Sequence, residues 1–298
     1  YLIHLLVLYF RSCCLLIMGN EHSNRSKGHP SSSSSKKDSP ATRLQKALPS
    51  ALKFGSNDLS SSALRRLLEQ SKKSRSLQLK GAGIKRVPSG IVEEVHSLLR
   101  ILELSSNKLR ELPSTIGTFS MLKQLYIANN RLTNLPDEIG CLKTLELLDV
   151  SGNQLTELPD PLAACNSLTQ MNASNNKFST FPSVVTRLLR LEVIDLSENS
   201  ITELPDEIAI LRATELIIRR NQLALLNASN LTKCEHLKIL RVEENCLPRE
   251  AFTAELLEKS ELTLITHEGN LFAEKEFQAL PGYDAYEQRF TATRRRLF

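Results

Sequence analysis

One spacing of apolar residues around an asparagine recurs nine times along this 298-residue chain. Its clearest copy reads Leu99, Leu102, Leu104, Asn107, Leu109, Leu112, Pro113. The asparagine position falls at Ala82, Asn107, Asn130, Asn153, Asn176, Asn199, Asn221, Asn245 and Asn270, so successive steps are 25, 23, 23, 23, 23, 22, 24 and 25 residues. A unit this short cannot close a core of its own and must bury its apolar face against the next copy. The chain is therefore expected to stack into one solenoid over residues 74–272, with capping segments at 58–73 and 273–298.

Within each period the alternation predicts a short strand with three inward apolar residues, as in Leu122, Leu125, Ile127 or Leu191, Ile194, Leu196. An asparagine then turns the chain, because its short amide can bond backbone groups that a buried turn would leave unpaired. A return segment such as Pro136 to Leu145, with Ile139 and Leu142 inward, brings the chain back to the next strand. The ends differ from the frame: Ala82 replaces the first asparagine, and His267 stands where a leucine is expected, so it reads as a core or cap residue. Before the first strand Leu59, Ala63, Leu64, Leu67 and Leu68 form a helical stripe. After the last, a break at Pro281-Gly282 precedes a polar-faced segment anchored by Tyr286 and Phe290.

The frame L-x-x-L-x-L-x-x-N-x-L-x-x-L-P is the mark of a leucine-rich repeat. The fold expected is an α/β leucine-rich-repeat horseshoe, a parallel concave sheet with helical caps at both ends. The L-P-x-x-I endings Leu135-Pro136-Asp137-Glu138-Ile139 and Leu204-Pro205-Asp206-Glu207-Ile208 resemble the Ras-group intracellular leucine-rich-repeat proteins. Met18-Gly19-Asn20, Ser62-Ala63-Leu64-Arg65, Glu268-Gly269-Asn270-Leu271-Phe272 and the ending Gly282-Tyr283-Asp284 with Tyr286 and Arg289-Phe290-Thr291 carry a narrower likeness to one member, over roughly Ser62 to the C-terminus. The resemblance implies an asparagine ladder linking repeats through Asn107, Asn130, Asn153, Asn176, Asn199, Asn221, Asn245 and Asn270. It also implies a lipid-anchored protein at a cytosolic membrane face, with Ras-like signalling partners.

The first methionine is Met18, and residues 1–17, an apolar leader interrupted by Arg11, read as translated upstream sequence. The leader is short for a membrane span and lacks the basic start and small-residue cleavage site of a signal peptide. Met18-Gly19-Asn20-Glu21-His22-Ser23 fits the N-myristoylation pattern, which places the acyl chain on Gly19. Residues 18–57 then form a Ser-, Lys- and Pro-rich linker. From Gly19 to Arg75 there are twelve basic against four acidic residues, net +8; with the whole chain at +5 and Arg11 set aside, −4 is left for the remainder. One myristoyl chain anchors only marginally, and basic residues such as Arg25, Lys27, Lys36 and Lys37 supply the second signal at an anionic bilayer. Basic residues interleaved with aromatics on a folded face, as nucleic acid would require, do not occur.

No catalytic spacing and no metal-ligand or cofactor motif stands out; Gly81-Ala82-Gly83 is a turn. Cys141, Cys165 and Cys234 fall in return segments, where a buried reduced thiol suits the packing. The four widely spaced cysteines after Met18 lack the clusters of disulfide-capped secreted relatives. The binding surface is expected on the concave face, along a column four residues before each asparagine that includes Glu103, Tyr126, Asp149, Asn172, Asp195, Ile217 and Arg241. Its centre is acidic, while Arg219, Arg220 and Arg241 are expected to reverse the sign toward the C-terminus. Tyr126 is the aromatic anchor. The reading is a monomeric, non-enzymatic scaffold tethered to a membrane. The alternatives are a secreted or cell-surface recognition protein, or a soluble cytosolic adaptor such as a ubiquitin-ligase substrate receptor.

Overall fold

The structure is a computed structural model that describes residues 61–297. Gly19, the basic linker, the leader and Leu59 lie outside the described residues. Helix α1 (Ser61–Ser74) leads into nine three-residue strands: β1 (Ser76–Gln78), β2 (Ile101–Glu103), β3 (Gln124–Tyr126), β4 (Leu147–Asp149), β5 (Gln170–Asn172), β6 (Val193–Asp195), β7 (Glu215–Ile217), β8 (Ile239–Arg241) and β9 (Leu264–Thr266). They form one sheet in chain order, every neighbour parallel. This is the leucine-rich-repeat solenoid the spacing dictates.

The middle residue of each strand, from Leu77 through Leu102, Leu125, Leu148, Met171, Ile194, Leu216 and Leu240 to Ile265, is buried. Strand alternation turns the two flanking residues to the opposite face, where they are partly exposed. Five of the return segments are five-residue 3-10 turns, at Ser114–Thr118, Asp137–Cys141, Asp160–Ala164, Ser183–Arg187 and Asp206–Ile210, and those nearer the two ends carry short α-helices at Ser89–Val95, Ala228–Leu231 and Ala254–Lys259. Each of the five 3-10 turns begins directly after a proline, Pro113, Pro136, Pro159, Pro182 or Pro205, whose φ near −70° is set by its ring. Strands sit about 4.8 Å apart, closer than helical turns can pack, so the sheet takes the inner curve.

The asparagines join the repeats. Each, from Asn107 to Asn270, accepts a hydrogen bond at Oδ1 from a backbone N–H of the preceding repeat, at 2.9–3.1 Å. Its Nδ2 donates to a carbonyl of that repeat, at 2.8–3.2 Å. An amide at Ala82 would have no preceding repeat to bond. The residue just before the marker is left-handed in all nine repeats: Gly81, Ser106, Asn129, Gly152, Asn175, Glu198, Arg220, Glu244 and Gly269, with φ from 51° to 77°. Six of these are not glycine, and each costs about 1 kcal/mol that the neighbouring amide network offsets.

Both ends are closed by helix. At the N-terminal end Leu68 of α1 is buried, with Leu64 and Leu67 packed on the core, and Lys72 bridges Glu69 and Glu94. At the other end, the helix Tyr283–Leu297 places the Tyr286 hydroxyl to accept the outward N–H of Ile265 on β9, at 3.0 Å. Its Arg289 donates to the carbonyls of Leu257, Glu258 and Leu262. His267 is 6% exposed, amid Phe252, Phe272 and Phe277, with Nε2 3.4 Å from Glu274. Burial holds its pKa below the usual histidine range, so the imidazole is neutral near pH 7.

One thiol departs from expectation. Cys165 and Cys234 are buried, but Cys141 is exposed, because it ends its 3-10 turn on the side away from the inward Ile139.

Candidate functional site

The partly exposed face of the sheet is built from two files of side chains. The third strand positions run Gln78, Glu103, Tyr126, Asp149, Asn172, Asp195, Ile217, Arg241, Thr266, each registered directly on the next. The structure thus places the sequence-derived column in a single row. Two residues earlier in each strand a second file shares the face, including Ile101, Gln124, Leu147, Gln170, Val193, Glu215 and Ile239. Sequence reasoning missed this file, although the two-residue alternation that exposes Tyr126 must also expose Gln124.

From β2 to β6 neither file contains a cation. The carboxylates are held by their own backbone: Glu103 Oε1 accepts from Ser105 N–H at 2.8 Å, Asp149 Oδ1 from Ser151 N–H and Oγ, and Asp195 Oδ1 from Ser197 N–H at 2.8 Å. Asn172 repeats the motif on Ser174. None of the three acids is ion-paired with a described residue. Tyr126 stands between Glu103 and Asp149, and partial burial, with those two charges, raises its pKa. The centre of the face is a fixed acidic row carrying one aromatic ring, flanked by apolar Ile101, Leu147 and Val193.

The expected reversal of sign further along is much reduced. Arg220 lies between Glu198 and Glu244, at 3.2 and 3.0 Å, three left-handed turn residues of successive repeats. Arg241 is paired with Glu215 at 2.6 Å. The stacking that aligns the repeats brings an acid to each of these arginines, and Arg219 is left exposed without an ion pair among the described residues. Ile217 sits between Asp195 and Arg241 in the file.

Two recesses lie off this face. One of about 510 Å³ opens beside the return turns of the middle repeats, floored by Leu158, Phe178, Phe181 and Val184 and spanned by an Arg187–Asp160 pair. Glycine at Gly117 and Gly140 lets earlier turns close up, since a Cβ at Gly140 would come within 2.3 Å of the Pro161 carbonyl oxygen. The matching position is Thr186 where the recess opens. The other recess, of about 440 Å³, is lined almost wholly by cations near the N-terminal end. Among the described residues no cluster of three or more His, Cys, Asp or Glu could hold a metal, and no described helix is long and apolar enough to cross a membrane.

The architecture defines a leucine-rich-repeat solenoid with an acidic inner sheet. Leucine-rich-repeat family domains are present, matching at residues 120–178 and again at 190–211. The chain is similar to an internalin from Listeria monocytogenes, at 21% identity and a TM-score of 0.60, over 72% of this chain and 60% of that one. A leucine-rich-repeat protein of Leptospira interrogans aligns at 22% identity and a TM-score of 0.50, over 65% and 60%. The leucine-rich-repeat domain of a Shigella effector aligns at 25% identity and a TM-score of 0.53, over 78% and 94%. The chain thus spans 60% of the length of the first two, whose likeness is one of fold.

Proposed function

We propose that the chain is a non-enzymatic protein-binding scaffold that takes a partner with a basic surface on its inner sheet. The observation that carries this is the row Glu103, Tyr126, Asp149, Asn172, Asp195, three carboxylates fixed by backbone bonds with no cation in either file beside them. Extended curved surfaces of this kind are what solenoids offer to partners. A prearranged row of one sign favours an oppositely charged epitope and speeds its encounter. Tyr126 and the apolar Leu147 and Val193 supply desolvated contact within it.

The proposal extends to a tether. The Met18-Gly19 pattern and the basic linker support an N-myristoyl anchor on Gly19, assisted by Arg25, Lys27, Lys36 and Lys37, at the cytoplasmic face of a membrane. The narrower likeness, to leucine-rich repeat-containing protein fifty-seven, supports the same placing, and the wider likeness to the Ras-group proteins supports Ras-like signalling partners.

Two measurements test these readings. Full-length protein recovered from its native cells should carry a stable partner that Asp149→Lys/Asp195→Lys loses with its thermal midpoint unchanged. Retention of that partner at wild-type yield would refute the inner-sheet reading. Mass spectrometry of the same material should find acylated Gly19, and an unmodified or glycosylated N-terminal region would refute the tether.

A further inference from the structure

The second recess holds an unusual set of charges. Lys85, Arg86, Lys108, Arg110 and Arg131 line about 440 Å³ together with a single acid, Glu111. All six are exposed, and none makes an ion pair or a side-chain hydrogen bond with a described residue. Elsewhere on the solenoid some cations, such as Lys72, Lys123, Arg187, Arg220, Lys238 and Arg249, have a carboxylate partner, and others, such as Lys80, Lys177 and Arg219, have none among the described residues, but only here do five line one recess with a single acid among the recesses described.

The stacking explains the convergence. Lys108 and Arg131 each follow their marker asparagine by one residue, and Lys85 and Arg110 follow theirs by three, so in-register repeats set them side by side. In the next repeats the same places hold Gln154, Thr133 and Thr156, which interrupt the run of charge. Five cations around one acid repel one another unless an anion joins them. Arginine forks match phosphate oxygens in pairs, and lysines add point charge. The charge exceeds what one phosphodiester would balance and suits a group carrying several phosphates. No aromatic ring lines the recess, so it lacks the stacking platform a nucleic-acid strand would use.

We propose that this recess binds the multiply phosphorylated headgroup of an anionic membrane phospholipid. The proposal rests on the tether reading, because the recess lies in the first repeats, the part of the solenoid that follows the Gly19 segment in the chain. A headgroup held here fixes which end of the solenoid meets the bilayer, and leaves the inner sheet to its partner.

The test uses the full chain produced without acylation, so that the lipid anchor is silent. Its probes are phosphatidylcholine vesicles carrying either phosphatidylserine or phosphatidylinositol bisphosphate at matched total charge, and soluble inositol trisphosphate. The unsubstituted chain should prefer the bisphosphate vesicles. Arg86→Gln/Arg110→Gln/Arg131→Gln should bind them roughly tenfold or more weakly and lose the preference. Arg25→Gln/Lys27→Gln/Lys36→Gln/Lys37→Gln should bind all anionic vesicles less well yet keep the preference. Circular dichroism of each variant confirms that these exposed substitutions leave the fold intact. Equal binding by the recess variant overturns the proposal, as does binding of inositol trisphosphate without retention on vesicles. Unacylated Gly19 in native protein would refute the tether reading separately, whatever the recess binds.

Discussion

At the scale of the residue, the recurring asparagine decides more than any leucine. Asn153 accepts from Leu132 N–H at 3.0 Å and donates to the carbonyls of Ile127 and Val150 at 3.0 and 2.9 Å. Asn153→Ala orphans these buried groups in two repeats and is expected to cost about 2–4 kcal/mol, read as a lower midpoint in chemical denaturation. His267 makes a different prediction. Burial lowers its pKa in the folded chain, so unfolded protein binds the extra proton as pH falls through the ordinary value of 6.5. Its contribution is therefore intact above that pH and lost below it. His267→Leu, which restores the residue the frame expects, should flatten that part of a melting-temperature profile. The thiols are separable too: burial raises the pKa of Cys165 and Cys234 to about 11, whereas Cys141 is exposed. Maleimide mapped by mass spectrometry should modify Cys141 in folded protein and the other two only on unfolding.

At the scale of the element, the tight return turns depend on what their fourth residue allows. Gly140→Ala would press a Cβ to within 2.3 Å of the Pro161 carbonyl oxygen, against backbone that cannot swing away. The expected cost is about 1–3 kcal/mol, or a midpoint lower by a few degrees. Here the sequence was partly readable. The strand positions followed from Leu125 or Ile194 lying five residues before an asparagine, because a repeated burial pattern leaves one arrangement in which every copy packs. The left-handed turn was hidden: Gly81, Gly152 and Gly269 advertise it, but Glu198, Arg220 and Glu244 adopt it only because the stacked amides impose it. The exposure of Cys141 was equally hidden, since spacing alone does not say which side of a 3-10 turn faces the neighbouring repeat.

At the scale of the whole molecule, the charge of the chain misleads until it is placed in space. The count that gave the residues after Arg75 a net −4 averaged two opposite surfaces: an inner sheet with Glu103, Asp149 and Asp195 in one row, and an edge recess where five cations converge. Register explains both, because it aligns residues some 23 positions apart that no local pattern connects. It also explains why the expected reversal of sign on the inner face is weak, since the same stacking brings Glu215 to Arg241 and two glutamates to Arg220.

Site-specific photocrosslinking in native cells tests the proposed partner-binding role of the inner sheet. A crosslinking amino acid would be placed in the full chain at Gln124, Tyr126 or Asp195 on that face, and at Leu189 or Ile210, exposed on the outer return segments, for comparison. One discrete crosslinked species from the inner positions, absent from the outer ones, is the predicted result. Crosslinks of equal yield from both sides, or from the outer positions alone, would contradict it.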